Sequence, residues 1–224
     1  MTAGPPVLRL DGVSKAYPSA GGAVVVLADV DLIIDPGDKV SLMGPSGSGT
    51  STLLSLISGL LRPDAGTVEV DGASIGDLDD GARATLRSRR IGIALQSDNL
   101  IPFLSATENV ELALGFGHRR RHRDRGRAAE LLDRLGVGNR GDHLPRQLSG
   151  GEAQRVALAV AVANEPALLL ADEMVSALDS TTASRIVDDV FSTEMAVLFV
   201  THDPTLADRA DRRLALRDHR VVSR

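Results

Sequence analysis

One stretch constrains this chain more than any other: Gly44-Pro45-Ser46-Gly47-Ser48-Gly49-Thr50-Ser51-Thr52, set between a β-rich run at residues 40–43 and an apolar run at residues 52–60. A glycine-rich turn from strand to helix is a common structural device and by itself requires no ligand. Glycines also let the backbone bend so that successive N–H groups and a helix N-terminus face one point, which makes a cradle for phosphate oxygens. Either way, a strand must feed a helix through a tight turn, and the chain is committed to mixing the two.

The phosphate-loop pattern G-x-x-x-x-G-K-[ST] is met at every fixed position except one. Gly44, Gly49 and Ser51 fit, and Thr50 stands where the lysine belongs. Around this stretch, short β-rich runs at 7–10, 24–27, 30–34, 40–43 and 67–70 are separated by Gly, Pro and Asp turn signals. Residues 91–95, 168–171 and 196–200 are apolar without alternation, which suits strands buried on both faces of a parallel sheet. Between residues 97 and 165 the period turns helical, as in Ala128, Leu131, Leu132 and Leu135. The fold class expected is α/β.

Two further motifs carry chemistry. The run Leu168-Leu169-Leu170-Ala171 ends in Asp172-Glu173, where one acid is suited to Mg²⁺ and the next to polarising an attacking water, although paired acids at a strand end also make an ordinary polar turn. In Leu148-Ser149-Gly150-Gly151-Glu152-Ala153-Gln154-Arg155, Ser149 and Glu152 form a capping box before a helix at residues 156–163. A capping box does not need Gly150 and Gly151, and glycines at a helix N-terminus also expose N–H groups to an anion.

Taken in order, these residues resemble the ATP-binding-cassette (ABC) family over essentially the whole chain. LSGGEAQR is similar to the family's signature, LLLADE to its Walker B strand, and Ser176-Ala177-Leu178-Asp179 to its D-loop. Gln96 resembles the Q-loop glutamine, and His202 in VTHDP the switch histidine. Within the family, SATENVELAL, SALDSTTA and VTHDPTLADRADRRLALRD are similar to ATPases of the lipoprotein-release, macrolide-export and cell-division group. The resemblance implies one ATP-binding domain over residues 1–224. It would have a P-loop NTPase core sheet, an N-terminal antiparallel β subdomain and a helical subdomain inserted at about 97–165.

The resemblance also implies roles. Tyr17, the only tyrosine, would stack on adenine; Gly44, Pro45, Ser46, Gly47, Ser48, Gly49, Thr50, Ser51 and Thr52 would hold the phosphates of ATP. Ser51, Gln96 and Asp172 would hold Mg²⁺, with Glu173, His202 and Gln96 attending the γ-phosphate and its water. Ser149, Gly150, Gly151 and Glu152 would complete the nucleotide site of a second subunit, which implies a head-to-tail homodimer or a pair with another nucleotide-binding subunit, driving a separate membrane permease docked near residues 96–102. For His202 a structural alternative exists, because Asp203-Pro204 offers a helix cap followed by Pro at the first helical position.

Composition narrows the alternatives. A formal charge of −5 speaks against non-specific nucleic-acid binding, and the basic run at 119–127 is read as a solvated helix face. With no cysteine there is no disulfide framework or thiolate chemistry. No apolar run approaches the ~20 residues needed to span a bilayer, and residues 1–12 lack the pattern of a secretory signal. A cytoplasmic location, peripheral on the membrane through the permease, is therefore expected.

Thr50 is the main departure from the family. Its hydroxyl is too short and uncharged to replace an ammonium bridging β- and γ-phosphates, so an active ATPase with a weakened clamp and a degenerate ATP-binding regulatory subunit both stay open. A non-transport ABC protein is a third reading, disfavoured by the lack of sustained heptads and cysteines. Lys15 and Lys39 are the only lysines. Met174 and Val175 also replace the family's usual Pro-Thr after the second acid, and residues 191–195 make a shortened helix-to-strand connection.

Overall fold

In the computed structural model, described over residues 4–19, 21–94, 100–117 and 125–223, two sheets stack with helices around them. The first is antiparallel in order β2-β1-β4-β5, from β1 (Leu8–Ser19), β2 (Gly22–Ile34), β4 (Ala65–Val70) and β5 (Ala73–Ser74). The second has order β10-β9-β3-β8-β7-β6, from β3 (Lys39–Met43), β6 (Ile91–Ala94), β7 (Leu168–Asp172), β8 (Ala196–Val200), β9 (Arg212–Arg217) and β10 (Arg220–Ser223). Its pairs are parallel except β9 with β10.

The helices are α1 (Thr50–Ile57), α2 (Asp80–Arg90), α3 (Ala106–Gly117), α4 (Arg125–Arg134), α5 (Gly150–Val162), α6 (Ser180–Phe191) and α7 (Pro204–Ala207). Successive strand residues point to opposite faces, and the core divides accordingly. Leu42, Leu168, Leu170, Leu198 and Val200 pack with α1 and the antiparallel sheet. Leu169, Ala171, Val197 and Phe199 pack with α3 to α6. Burial on both faces is why these strands read as unbroken apolar runs.

Three expectations shift. Residues 24–27 and 30–34 form one strand, β2, in which Asp29 adopts a left-handed φ of 54° and its N–H donates to Ser14 Oγ at 2.9 Å. The Asp read as a turn signal marks an irregularity in the β1–β2 pairing, whose register shifts on either side of Val13. Helix α1 starts at Thr50 rather than Thr52 and stops at Ile57, and α5 starts at Gly150. Strands β9 and β10 and helix α2 had no sequence signal: β9 is bracketed by arginines, and α2 has no buried residue to set an apolar period. Of the basic run, residues 119–124 lie outside the described residues, while Arg127 on α4 pairs with Glu130 at 3.6 Å and Glu165 at 2.7 Å.

The order of the parallel sheet decides where chemistry can occur. Strands β3, β8 and β7 are adjacent, with Leu42 level with Val200 and Val200 level with Asp172. Their carboxyl ends therefore bring Gly44, His202 and Glu173 to one edge, the position where open parallel sheets bind ligands. Among the described residues, no helix is long and apolar enough to cross a membrane.

Candidate active site

The loop after β3 turns back on itself, with Ser48 N–H donating to Pro45 O at 3.0 Å, and enters α1 through Gly49, whose φ is 106°. Two of its glycines, Gly44 and Gly49, sit in close approach to neighbouring atoms. A Cβ at Gly44 would lie 2.5 Å from Ser48 Oγ, and one at Gly49 would lie 2.7 Å from Val26 Cγ1. No side chain caps α1 and no acid sits in its first turn, so the N–H groups at its start are left for an anion. Ser48 Oγ is buried without a hydrogen-bond partner, a group that a phosphate oxygen would satisfy.

Thr50 is the first residue of α1, and neither lysine reaches it. Lys39 Nζ donates to the backbone carbonyls of Thr193 and Met195, at the opposite end of the strand from the loop, and burial lowers its pKa. Lys15 is paired with Asp64 at 2.6 Å. A cavity of about 210 Å³ lies beside the loop, lined by Met43, Gly44, Pro45, His202 and Arg217 among others. Arg217 is thus a cation bordering the loop that sequence reasoning passed over, because its strand carried no apolar signal.

The acids lie beside this loop. Ser51 Oγ donates to Asp172 Oδ2 at 3.3 Å, so the hydroxyl on α1 and the carboxylate at the end of β7 face one another. Glu173 has a left-handed φ of 52°; its N–H donates to Val200 O at 3.0 Å, and its side chain is only 17% exposed. Glu173 Oε1 accepts from the His202 N–H at 2.9 Å, with His202 Nε2 4.0 Å away on a side chain 63% exposed. His202 also precedes the expected cap: Asp203 Oδ1 accepts from Thr205 N at 2.8 Å and Pro204 opens α7. The structural and chemical placements of His202 coexist.

The capping box at α5 is complete. Glu152 N–H donates to Ser149 Oγ at 3.3 Å, and Ser149 N–H donates to Glu152 Oε2 at 2.8 Å. Arg140 Nε donates to Glu152 Oε1 at 2.7 Å. The Ser149 N–H bond first, and Arg140 after it, hold the Glu152 carboxyl down at about 2. No hydrogen bond or ion pair of the described residues joins Ser149, Gly150, Gly151 or Glu152 to Gly44–Thr52.

Tyr17, 38% exposed, pairs on β1 with Val24 of β2, two residues from the Val26 that meets Gly49, and Lys15 Nζ lies 5.8 Å from its ring centre. Gln96 lies outside the described residues. Sequence reasoning quoted Gln154 without giving it a role. Its Nε2 donates to Glu173 O at 2.6 Å, a link visible only once α5 is placed against the segment after β7.

A parallel sheet whose edge joins a glycine-rich loop, a helix N-terminus and adjacent acids defines a phosphate-binding α/β domain. The chain belongs to the ABC transporter family, whose model matches residues 27–176. It is 44% identical to the lipoprotein-releasing system ATP-binding protein LolD 1 of Rhodospirillum rubrum, over 96% of this chain and 97% of that protein. To the macrolide export ATP-binding/permease protein MacB of Sodalis glossinidius it is 40% identical, over 97% of this chain but 34% of that longer protein. Among solved structures, the dimeric bacterial ABC transporter cassette MJ0796 superposes with a TM-score of 0.92 at 40% identity, covering 96% of each chain. The resemblance to the lipoprotein-release and macrolide-export group is borne out, as is the ABC-type ATPase fold.

Proposed function

We propose that this chain is the ATP-binding and ATP-hydrolysing subunit of a transporter, working as a two-fold homodimer against a separate membrane permease and held by it at the cytoplasmic face of the membrane. The observation that carries this reading is the meeting of Ser51 with Asp172 and of Glu173 with His202, beside the glycine-rich loop.

The backbone N–H groups of the Gly44–Thr52 loop and the start of α1 would receive the phosphates of ATP, with adenine on Tyr17. Ser51 Oγ and Asp172 Oδ2 are two hard oxygens, and among the described residues no cluster of three or more acids or histidines gathers to hold a metal alone. That donor set suits Mg²⁺, which takes one or two protein oxygens and completes its shell with phosphate oxygens and water. The ion would neutralise charge on the β- and γ-phosphates. Gln96 is assigned to the same metal and water environment.

Glu173 would orient the attacking water and draw off its proton. The water oxygen bonds to the γ-phosphorus as the bond to the ADP oxygen breaks. The His202 N–H fixes one carboxylate oxygen, and the imidazole, which lines the cavity beside the loop, would contact the γ-phosphate. Ser149, Gly150 and Gly151 at the start of α5 would serve the nucleotide of the partner subunit. Glu152 would act by shaping that helix start, since both its oxygens are engaged within the chain.

Thr50 weakens this site without dismantling it. A charge-assisted bond from an ammonium contributes ~1.5–3 kcal/mol, and neither lysine supplies it. The same residue favours a second reading, an ATP-binding regulatory subunit without useful turnover, against which the intact Glu173 and His202 arrangement counts. Glu173→Gln removes the water-orienting group and keeps the binding groups, so it should sediment as a dimer in saturating Mg-ATP and as a monomer without it. A variant that stays monomeric at saturating nucleotide contradicts the paired-subunit reading.

A further inference from the structure

The signature helix of this chain is tied to the backbone of its own Glu173 through a single side chain. Gln154 Nε2 donates to Glu173 O at 2.6 Å, and Gln154 Oε1 accepts from Ala177 N at 3.2 Å. One end of the side chain must both give and receive a hydrogen bond, a pairing that an amide offers and an ionised carboxylate of the same length does not. The two partners also fix which way the amide faces. Glu173 O receives Ser176 Oγ at 3.1 Å and Ser176 N at 3.2 Å as well, so three donors converge on the carbonyl of a residue held at φ 52°. A left-handed conformation at a non-glycine residue persists only where its surroundings hold it.

A second contact joins the same two segments. A Cβ on Gly151 would lie 2.9 Å from Leu178 Cδ2 and 3.0 Å from Ala177 O, so the first turn of α5 abuts residues 177–178 without room for one methyl group. The start of α5 and the segment 173–178 therefore form one mechanical piece. At one end of it stand Ser149, Gly150 and Gly151; at the other stands the Glu173 carboxylate on the His202 N–H.

We propose that Gln154 is a positioning residue that couples the two nucleotide sites of the dimer. This rests on the reading that the start of α5 in one subunit faces the nucleotide of the other. Seating of Ser149–Gly151 on the partner's nucleotide is passed through Gln154 to the carbonyl of Glu173, which attends the nucleotide of its own subunit. Each site then reaches its reactive arrangement only when the other is filled, and hydrolysis is cooperative in ATP.

The test compares the full chain with Gln154→Met, which has similar length and neither bond, and Gln154→Glu, which keeps only the acceptor for Ala177 N. Each is assembled with its permease, in the native and Thr50→Lys backgrounds, with thermal unfolding run alongside. Expected are ATP affinities within about twofold of the parent, a kcat lower by roughly tenfold or more, and a Hill coefficient falling from above 1 to about 1 in Gln154→Met, with Gln154→Glu in between. A kcat that falls while the Hill coefficient holds gives Gln154 a purely local structural role and overturns the proposal, as does no change in either. A parent that binds ATP and never pairs contradicts the underlying reading instead, a result visible before any variant is made.

Discussion

Ser51 Oγ and Asp172 Oδ2 lie 3.3 Å apart, joining the first turn of α1 to the end of β7 across the edge of the parallel sheet. Two residues separated by most of the chain are thereby assembled into one oxygen pair of the kind that Mg²⁺ accepts alongside phosphate. Ser51→Ala and Asp172→Asn should each raise the Mg²⁺ concentration needed for half-maximal ATP hydrolysis by at least the roughly 10–100-fold that losing even an outer-shell partner brings. ATP binding measured in EDTA should change much less. Equal Mg²⁺ dependence in both variants and the parent would remove the pair from the metal site.

Thr50 stands at the start of α1 with no lysine in reach. Thr50→Lys restores a charge at the β- and γ-phosphates, in the transition state as well as the ground state, and should strengthen ATP binding by roughly one to two orders of magnitude. Turnover should rise with it. If titration shows the same affinity in both proteins, another cation already serves the phosphates, and Arg217 beside the loop is the first to substitute.

Glu152 provides a pH signature. Its carboxyl, ordinarily near 4.5, is held at about 2 by the Ser149 N–H and Arg140. A depressed folded-state pKa contributes stability that is fully present above the unfolded value and lost as pH falls through the folded one. The start of α5 should therefore loosen between about pH 4.5 and about 2. The protection of the Ser149 amide, its observed exchange compared with the intrinsic rate at each pH, should fall over that range in the native chain. It should not depend on pH in Glu152→Gln, whose amide oxygen can keep the capping bond but does not titrate.

The parts legible in the sequence were those whose signal is local. The strand-to-helix turn at Gly44–Thr52, the capping box at Ser149 and Glu152, and the cap at Asp203 each declare themselves within a few residues. All three are present, although the helices after the turn and the capping box begin earlier than the apolar runs implied, at Thr50 and Gly150. The apolar runs at β7 and β8 were readable because burial on both faces leaves no polar residue to interrupt them. What the sequence could not show was relational. Gln154 gained its role only when α5 lay beside the segment after β7, and Arg217 only when β9 paired with β3. Helix α2, with no buried face, and the continuous β2 carrying Asp29 in a left-handed conformation lacked the pattern that sequence reading depends on.

The most direct measurement is steady-state Mg-ATP hydrolysis by the native chain assembled with its permease, set against Glu173→Gln in the same membranes. Glu173 Oε1 is fixed by the His202 N–H at 2.9 Å beside the glycine-rich loop, so the native protein should turn over ATP. Its glutamine variant should be slower by roughly 10²–10⁴-fold, the usual contribution of a positioned general base, while still binding nucleotide. Equal rates in the two proteins, or no turnover by the native chain at saturating Mg-ATP, would contradict the assignment of this site as a working ATPase.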